Sequence, residues 1–279
     1  MEIGKIVTNS LKYPFRNIKK LPILFILFIL VALVPIGIIS DNRYVLILGF
    51  IAFFAFILIV PGYLFSMVRI GLNESAMFPS MDFGNTIMDS IRMIALRMVY
   101  MIVPAIVFFI ALSAVGMSAV DMVMDFKLPS LIFSVIVILL FVLFVYIVFE
   151  VLLFFAKARL AYLNSLSEAV KVHKVISDIK NLGIINILKW LILMAVVMIA
   201  ASFISSWVMS IPYVGLLIYI GVVIPILESI GNYSLGLLYS NIACFFQESV
   251  YIILQVRIHG DGDVAAVAGG HQPRQQGVL

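Results

Sequence analysis

The chain has 279 residues, a net charge of +4, 64% hydrophobic residues and only 11% charged residues. Soluble globular domains carry about 25% charged residues, so this composition and a mean hydropathy of +1.22 exclude a water-soluble globular fold. Apolar runs of the length that lets an α-helix cross the hydrocarbon recur along the chain, whereas the short alternating segments of a transmembrane barrel do not. The sequence predicts an all-α, polytopic transmembrane helix bundle.

Six apolar stretches predict about six spans. A basic N-terminal segment, residues 1–20, precedes the first stretch, which is long enough to be a retained helix instead of a cleaved signal. The predicted spans cover residues 21–40, 44–68, 99–120, 130–156, 187–209 and 213–246.

The last apolar region, 213–246, is too long for one untilted span. Pro225 and Gly231 interrupt it, so one long, broken helix is predicted, with a re-entrant pair as the alternative. The Gly231 position is expected to permit close approach of another helix. Residues 247–279 are predicted to form a largely disordered cytoplasmic tail.

Basic residues concentrate on one side of this topology. Sixteen of the 18 Lys and Arg lie in the N-terminus, the loops after spans two and four, and the tail, while the other connections hold only Arg43 and Lys127. Basic residues near span ends resist translocation, which predicts a multi-pass protein of the cell membrane with both termini in the cytoplasm. These residues could also attract anionic lipid headgroups. A seven-span topology, with the last region split, stays open.

The two long cytoplasmic stretches resemble each other, beginning Arg69-Ile70-Gly71-Leu72-Asn73 and Arg159-Leu160-Ala161-Tyr162-Leu163-Asn164. Each continues into a segment with apolar residues at helical spacing, Phe83, Ile87, Ile91 and Ile94 in one and Ala169, Val172, Val175, Ile176 and Ile179 in the other. Two cytoplasmic interfacial amphipathic helices are therefore predicted, with Asp89 and Asp178 off the apolar stripes. The alternative is that both segments extend spans three and five. The likeness suggests a parallel two-span repeat, and an inverted repeat stays open.

Glu228 and Asn232 form the candidate intramembrane polar site. They are four residues apart, so they share a helical face, and an acidic residue within a span usually faces a cavity, a partner or a pathway. The alternative is a structural kink at Pro225. Glu150 is expected to pair with Lys157 or Arg159 at the cytoplasmic interface.

No catalytic, cofactor-binding or metal-ligating residue is predicted. The chain has no glycine-rich phosphate loop, no His-Glu-x-x-His and no Gly-x-Ser-x-Gly, and its single cysteine, Cys244, is assigned to packing. We therefore expect a protein that is not an enzyme and binds no nucleic acid. Three aromatic residues, Tyr100, Trp190 and Tyr213, are expected to anchor span ends at the membrane interface.

Several stretches resemble a prokaryotic, mainly archaeal, integral-membrane family of unknown function. The resemblance lies in Tyr13-Pro14-Phe15, Pro61-Gly62-Tyr63-Leu64, Asp82-Phe83-Gly84, Ile211-Pro212-Tyr213 and the 233–239 segment. It implies a membrane protein and assigns no catalytic residue.

Three functions follow as hypotheses. The first is a transporter of a small or amphipathic solute, with Glu228 and Asn232 in its pathway. The alternative is a non-enzymatic scaffold or accessory subunit with a membrane protein partner. A membrane-embedded enzyme acting on lipid is the weakest, because such an enzyme needs clustered titratable groups.

Overall fold

The structure, a computed structural model, describes residues 2–124 and 128–240, with side chains described outside 116–131. These described residues form nine helices and no strand. The helices are α1 Ile3–Arg16, α2 Leu21–Ile39, α3 Arg43–Leu72, α4 Phe83–Met124, α5 Leu128–Leu163, α6 Leu166–Ala169, α7 Val172–Leu182, α8 Ile184–Met209 and α9 Val214–Ser240.

The predicted all-α bundle with six spans is confirmed. Helices α2, α3, α4, α5, α8 and α9 are long and apolar enough to cross a membrane, which indicates a multi-pass protein in a lipid bilayer. One end of the bundle carries α1, the α3–α4 loop (residues 73–82), α6 and α7, and we call it the basic end. The tail predicted at 247–279 lies outside the described residues.

Several spans are longer than the apolar runs that predict them. Helix α3 continues past residue 68 to Leu72, and α5 continues past residue 156 to Leu163. The added turns carry Arg69 and Arg159, which hydrophobicity alone assigns to a loop. Both arginines pack against other helices at the basic end, so the helices do not have to stop where the apolar run stops.

The first interfacial helix is not separate. Residues from Phe83 onward belong to α4, so the alternative, an extension of span three, describes this segment. Its predicted apolar stripe is exposed, with Phe83, Ile87 and Ile91 at 58%, 37% and 50%. The face that carries Asp89 is buried instead, because Asp89 pairs with Arg69 of α3 inside the bundle.

The second interfacial segment is a separate helix, α7. It ends at Gly183, whose φ of +83° is a conformation that suits glycine. Ala169 and Val175 of its predicted stripe are buried, but so is Asp178, which was predicted on the opposite face.

Helix α1 is a further amphipathic helix, in a segment for which the sequence predicted only a basic terminus. It buries Ile6, Val7, Ser10 and Tyr13. The ring of Tyr13 stacks on that of Tyr233 in α9, with 3.9 Å between the centroids. This stack fixes α1 under the basic end of α9.

The last span, predicted as a broken helix, is one helix with a π-helical turn at Tyr219–Val223. Pro225 has no N–H to donate to the carbonyl of Gly221, and the wider turn accommodates this loss. The re-entrant alternative does not hold for the part of this region that the structure describes, up to Ser240. Residues 241–246 lie outside it.

A close helix crossing joins α3 and α9 at two glycines. A Cβ added to Gly71 would lie 2.5 Å from the carbonyl oxygen of Tyr233, and one added to Gly236 would lie 2.8 Å from the Cα of Gly71. Gly231, predicted to serve this purpose, has no neighbour within 4 Å of such a Cβ. The close approach therefore lies more than one turn further along α9.

Candidate functional site

Glu228 and Asn232 share one face of α9 and are bonded to each other. The side-chain amide of Asn232 donates to the Glu228 carbonyl oxygen at 2.7 Å and to Glu228 Oε2 at 3.1 Å. Asn232 is buried, whereas Glu228 is exposed at the surface of the bundle. The structure thus brings the two predicted residues together and leaves the carboxylate accessible.

Lys157 connects this pair to α5. Its ammonium donates a hydrogen bond to Asn232 Oδ1, so Asn232 lies between a cation on one span and a carboxylate on another. The sequence predicted Lys157 as one of two possible partners of Glu150. The seven-residue spacing of Lys157 and Glu150 does not show that α9 supplies the hydrogen-bond acceptor of Lys157.

Glu150 pairs with Arg97 of α4, so its predicted pairing with Lys157 or Arg159 is wrong. Arg97 Nη2 donates to Glu150 Oε1 at 3.1 Å, and the Tyr146 hydroxyl donates to the same oxygen at 2.7 Å. Between Leu128 and Ala156, Glu150 is the one charged residue of α5. This ion pair therefore joins α4 to α5 within an otherwise apolar surface.

These groups lie in a row along one face of α5, and we call this row the polar stripe. Tyr146, Glu150 and Lys157 lie within about 60° of one another around α5, because 3.6 residues make one turn, and they span about 16 Å along its axis. Neighbouring helices complete the stripe with Arg97, Glu228 and Asn232.

Residues 45–210, more than half of the chain, match the family described as Protein of unknown function (DUF4013). The chain belongs to this family. No curated protein matches the chain, and neither does any solved structure. The family match agrees with the resemblance to an uncharacterised membrane family.

The family segment contains part of the polar stripe. Arg97, Glu150 and Lys157 lie within residues 45–210, whereas Glu228 and Asn232 of α9 lie beyond it. Tyr13-Pro14-Phe15, one of the stretches that carried the resemblance, also lies outside the matched residues.

The lengths of the uncharged stretches in α4 and α5 place the polar stripe at one edge of the hydrocarbon layer. In α5 no charge occurs from Leu128 through Phe149, a length of about 33 Å that matches the hydrocarbon thickness. In α4 the same holds from Met98 through Val120. Arg97 and Glu150 are the first charged residues after these stretches on the side of the basic end, and their ion pair marks the same boundary on both helices.

A second polar cluster, at the basic end, is built around Asp89 of α4. Arg69 of α3 donates to both carboxylate oxygens of Asp89, at 2.6 and 3.2 Å. Asn164, just after α5, accepts from Arg69 and from Arg92 at 3.0 Å each. These bonds tie α3, α4 and α5 together.

Asp178 of α7 stands in a corresponding cluster. It accepts from Arg159 of α5 and from the Tyr239 hydroxyl of α9, each at 2.5 Å. The Asp178 side chain is 3% exposed and that of Arg159 is 11% exposed. All buried side-chain polar atoms in the described part of the chain have a hydrogen-bond partner, so these clusters hold the fold together and offer no unpaired group to a ligand.

Glu168 of α6 extends this cluster toward the surface. Hydrogen bonds from Lys171, at 2.5 Å, and Lys174, at 2.6 Å, stabilise its carboxylate. These bonds lower the pKa of Glu168 to about 2. The two lysines thereby keep α6 and the start of α7 in place.

Two of the three predicted interface anchors are buried instead. Trp190 donates to Ser234 Oγ at 2.6 Å, and the Tyr100 hydroxyl donates to the Ala169 carbonyl oxygen at 3.0 Å. Both are 2% exposed, while Tyr213 is 48% exposed. The buried pair connects spans to neighbouring segments, which single-sequence reasoning cannot distinguish from anchoring.

Proposed function

We propose that the protein is a transporter of a small or amphipathic solute, located in the cell membrane with its N-terminus in the cytoplasm and without enzymatic activity. The observation that carries the proposal is the polar stripe. Three spans, α4, α5 and α9, contribute side chains to it, and the stripe is accessible from the surface of the bundle at the edge of the hydrocarbon.

The charges in the stripe fit the head of an amphipathic solute. Glu228 provides an exposed carboxylate next to the Lys157–Asn232 bond, so opposite charges on a ligand find complementary groups within a short distance. Exposed apolar side chains on α4 and α5 would contact the rest of such a molecule. The scarcity of polar groups inside the spans argues against a water-filled ion channel.

The π-helical turn of α9 supports the proposal that part of this helix moves during transport. It lies between Gly215, which packs on the carbonyl of Val208, and Gly236, which packs on α3. Glu228 lies between the turn and the second contact. Such turns recur at functional sites, and a change in this one would rotate Glu228 relative to Lys157.

Native mass spectrometry in mild detergent tests this proposal. The wild type is expected to retain a defined small molecule or lipid, which Glu228→Gln loses while the overall charge pattern elsewhere is intact. The matched control is Glu2→Gln, at a surface pair with Lys5 that is 79% exposed on the Glu2 side. Equal ligand retention by the wild type and Glu228→Gln would remove Glu228 from the pathway.

A scaffold or accessory subunit is the second candidate, favoured by the surface of α5. Its most apolar 18-residue stretch has no buried residue, whereas those of the other five spans bury 11–28%. A partner helix would find α5 the most available of the six. Retention of one stoichiometric membrane protein, with no small ligand in either variant, would favour this function over transport.

A further inference from the structure

We propose that Arg97 binds the phosphate of a membrane phospholipid at the notch where α4 and α5 meet. The inference rests on the function proposed above, because it names the class of amphipathic ligand that enters the polar stripe. It concerns Arg97, on the side of the stripe away from Glu228 and Asn232.

Arg97 has donors available for a ligand. Its side chain is 64% exposed, Nη2 donates to Glu150 Oε1 at 3.1 Å, and the Tyr146 hydroxyl also interacts with the guanidinium. A guanidinium has five N–H donors in a fixed fork that matches phosphate oxygens. These two contacts do not use all five donors, so the rest of the fork can face a phosphate.

Tyr146 and Glu150 hold Arg97 in this orientation. Glu150 is itself fixed by the hydroxyl of Tyr146, one turn away on α5. A guanidinium held by a carboxylate loses less conformational entropy when it binds a ligand than a freely rotating one.

The surface beside Arg97 suits acyl chains. Large apolar side chains flank it on both helices and are exposed, with Met98 at 69%, Ile102 at 54% and Ile147 at 51%. A soluble anion would gain nothing from these neighbours. A phospholipid would place its phosphate at Arg97 and its chains along α4 and α5.

The position of Arg97 along α4 supports the same ligand. The charge-free stretch of α4 begins directly after it, at Met98, and is long enough to cross the hydrocarbon. Arg97 therefore lies at the level where phospholipid phosphates are found. The level of Arg97 and the apolar surface beside it both fit a lipid of the bilayer and not free phosphate.

Retention of phosphatidylglycerol, measured by native mass spectrometry after release from nanodiscs, tests the inference. We expect Arg97→Gln to retain about tenfold less phosphatidylglycerol than the wild type, the effect of one charge-assisted hydrogen bond. Arg43→Gln is the matched control, because Arg43 is an exposed arginine at the opposite end of the bundle, and it should retain wild-type amounts. A phosphate-free diacylglycerol should be retained equally by all three proteins.

Glu150→Gln separates binding from a structural effect. It keeps the guanidinium and weakens only its positioning, so retention should fall by less than it does for Arg97→Gln. Loss of lipid from Glu150→Gln equal to that from Arg97→Gln would overturn the inference, as would equal retention by Arg97→Gln and the wild type. Release of the lipid by inorganic phosphate without any effect of Arg97→Gln would also overturn it.

The outcomes are distinguishable from those of the transport proposal. Lipid loss from Arg97→Gln alone, with Glu228→Gln unchanged, supports a phospholipid site and counts against a pathway through Glu228. Loss of a water-soluble molecule from Glu228→Gln, while Arg97→Gln retains as much phospholipid as the wild type, supports a pathway through Glu228. The same result counts against the phospholipid site.

Discussion

Individual buried ion pairs determine how the segments of the basic end are held. The Arg159–Asp178 pair connects a membrane span to a short amphipathic helix, and Asp178 also accepts a hydrogen bond from the Tyr239 hydroxyl. Removing one partner of a buried pair leaves the other charge without a counter-charge. This destabilises the protein by more than the intact pair stabilises it relative to apolar residues at the same positions. The contacts of Asp178 are thus more sensitive to mutation than those of surface charges.

Asp178→Asn is expected to lower the free energy of unfolding by about 3 kcal/mol, because Arg159 would lose its carboxylate partner. Denaturant unfolding in mild detergent, followed by tryptophan fluorescence, measures this. Glu2→Gln, in a pair that is more than two-thirds exposed on both sides, should change stability by less than about 0.5 kcal/mol. Equal midpoints for Asp178→Asn and the wild type would contradict the structural role of this pair.

The lowered pKa of Glu168 predicts that the stability of the protein depends on pH. Its folded pKa of about 2 lies below the value of about 4.3 for an unfolded glutamate. The stabilisation is therefore complete above about pH 4.3 and is lost as the pH falls toward the folded value. The unfolding temperature of the wild type should fall more between pH 6 and pH 3 than that of Glu168→Gln. Parallel pH profiles for the two proteins would show that the Lys171 and Lys174 bonds contribute nothing.

At this scale the acidic residues could be picked out from the sequence, but most of their partners could not. Glu228 with Asn232 follows from helical spacing alone, and the structure shows them bonded. Lys157 and Arg97 come from other helices, and only the relative placement of α4, α5 and α9 reveals them. Asp89 and Asp178 were predicted off the apolar stripes of interfacial helices, and their burial depends on Arg69 and Arg159, which other segments supply.

At the scale of single helices, close contacts between backbones restrict some positions to small residues. The α3–α9 crossing depends on Gly71 and Gly236, where a Cβ would collide with backbone atoms of the opposite helix. Backbone atoms cannot yield as the end of a flexible side chain can. Small residues are the usual means by which membrane helices approach closely.

Gly236→Ala is expected to destabilise the protein by about 1–3 kcal/mol, the usual cost of overpacking. Gly231→Ala, on the same helix but with open space around the added Cβ, should be neutral or slightly stabilising, because alanine favours a helix more than glycine. Denaturant unfolding of both variants provides the comparison. A Gly236→Ala variant as stable as Gly231→Ala would mean that the two helices are not in close contact.

Helix ends at the basic end do not follow the change from polar to apolar residues. Gly183 separates α7 from α8, but no such residue separates the polar start of α4 from its apolar part. The change from polar to apolar residues at that point is a change of environment, and it does not end a helix. Apolar run length therefore predicted the number of spans, whereas several helices extend beyond these runs at the basic end.

The six spans as a whole follow a repeated order. An amphipathic segment, a span leaving the basic end and a span returning to it occur as α1–α2–α3, as α4–α5 with the start of α4 as the amphipathic segment, and as α7–α8–α9. Arg69 and Asp89 are 20 residues apart, and Arg159 and Asp178 are 19 apart. A positive φ of 51° occurs five residues after each arginine, at Glu74 and Asn164. Because Arg69 and Arg159 lie at the same end of the bundle, these features favour the parallel repeat over the inverted one.

The distribution of Lys and Arg predicts that the basic end faces the cytoplasm. With Cys244 replaced by Ser, a membrane-impermeant maleimide should label Ser40→Cys in intact cells, because the α2–α3 turn would face outward. Met77→Cys, in the α3–α4 loop and 72% exposed, should be labelled only after lysis. Labelling of Met77→Cys in intact cells would reverse the orientation.

Each repeated unit also returns the chain to the side from which it started. A gene segment encoding one unit can therefore be copied in tandem, or deleted, without inverting any other span in the bilayer. Growth of the protein by whole units would preserve the side on which both Arg–Asp pairs form. Relatives with four or eight spans, where they occur, are accordingly expected to keep the same N-terminal orientation as this chain.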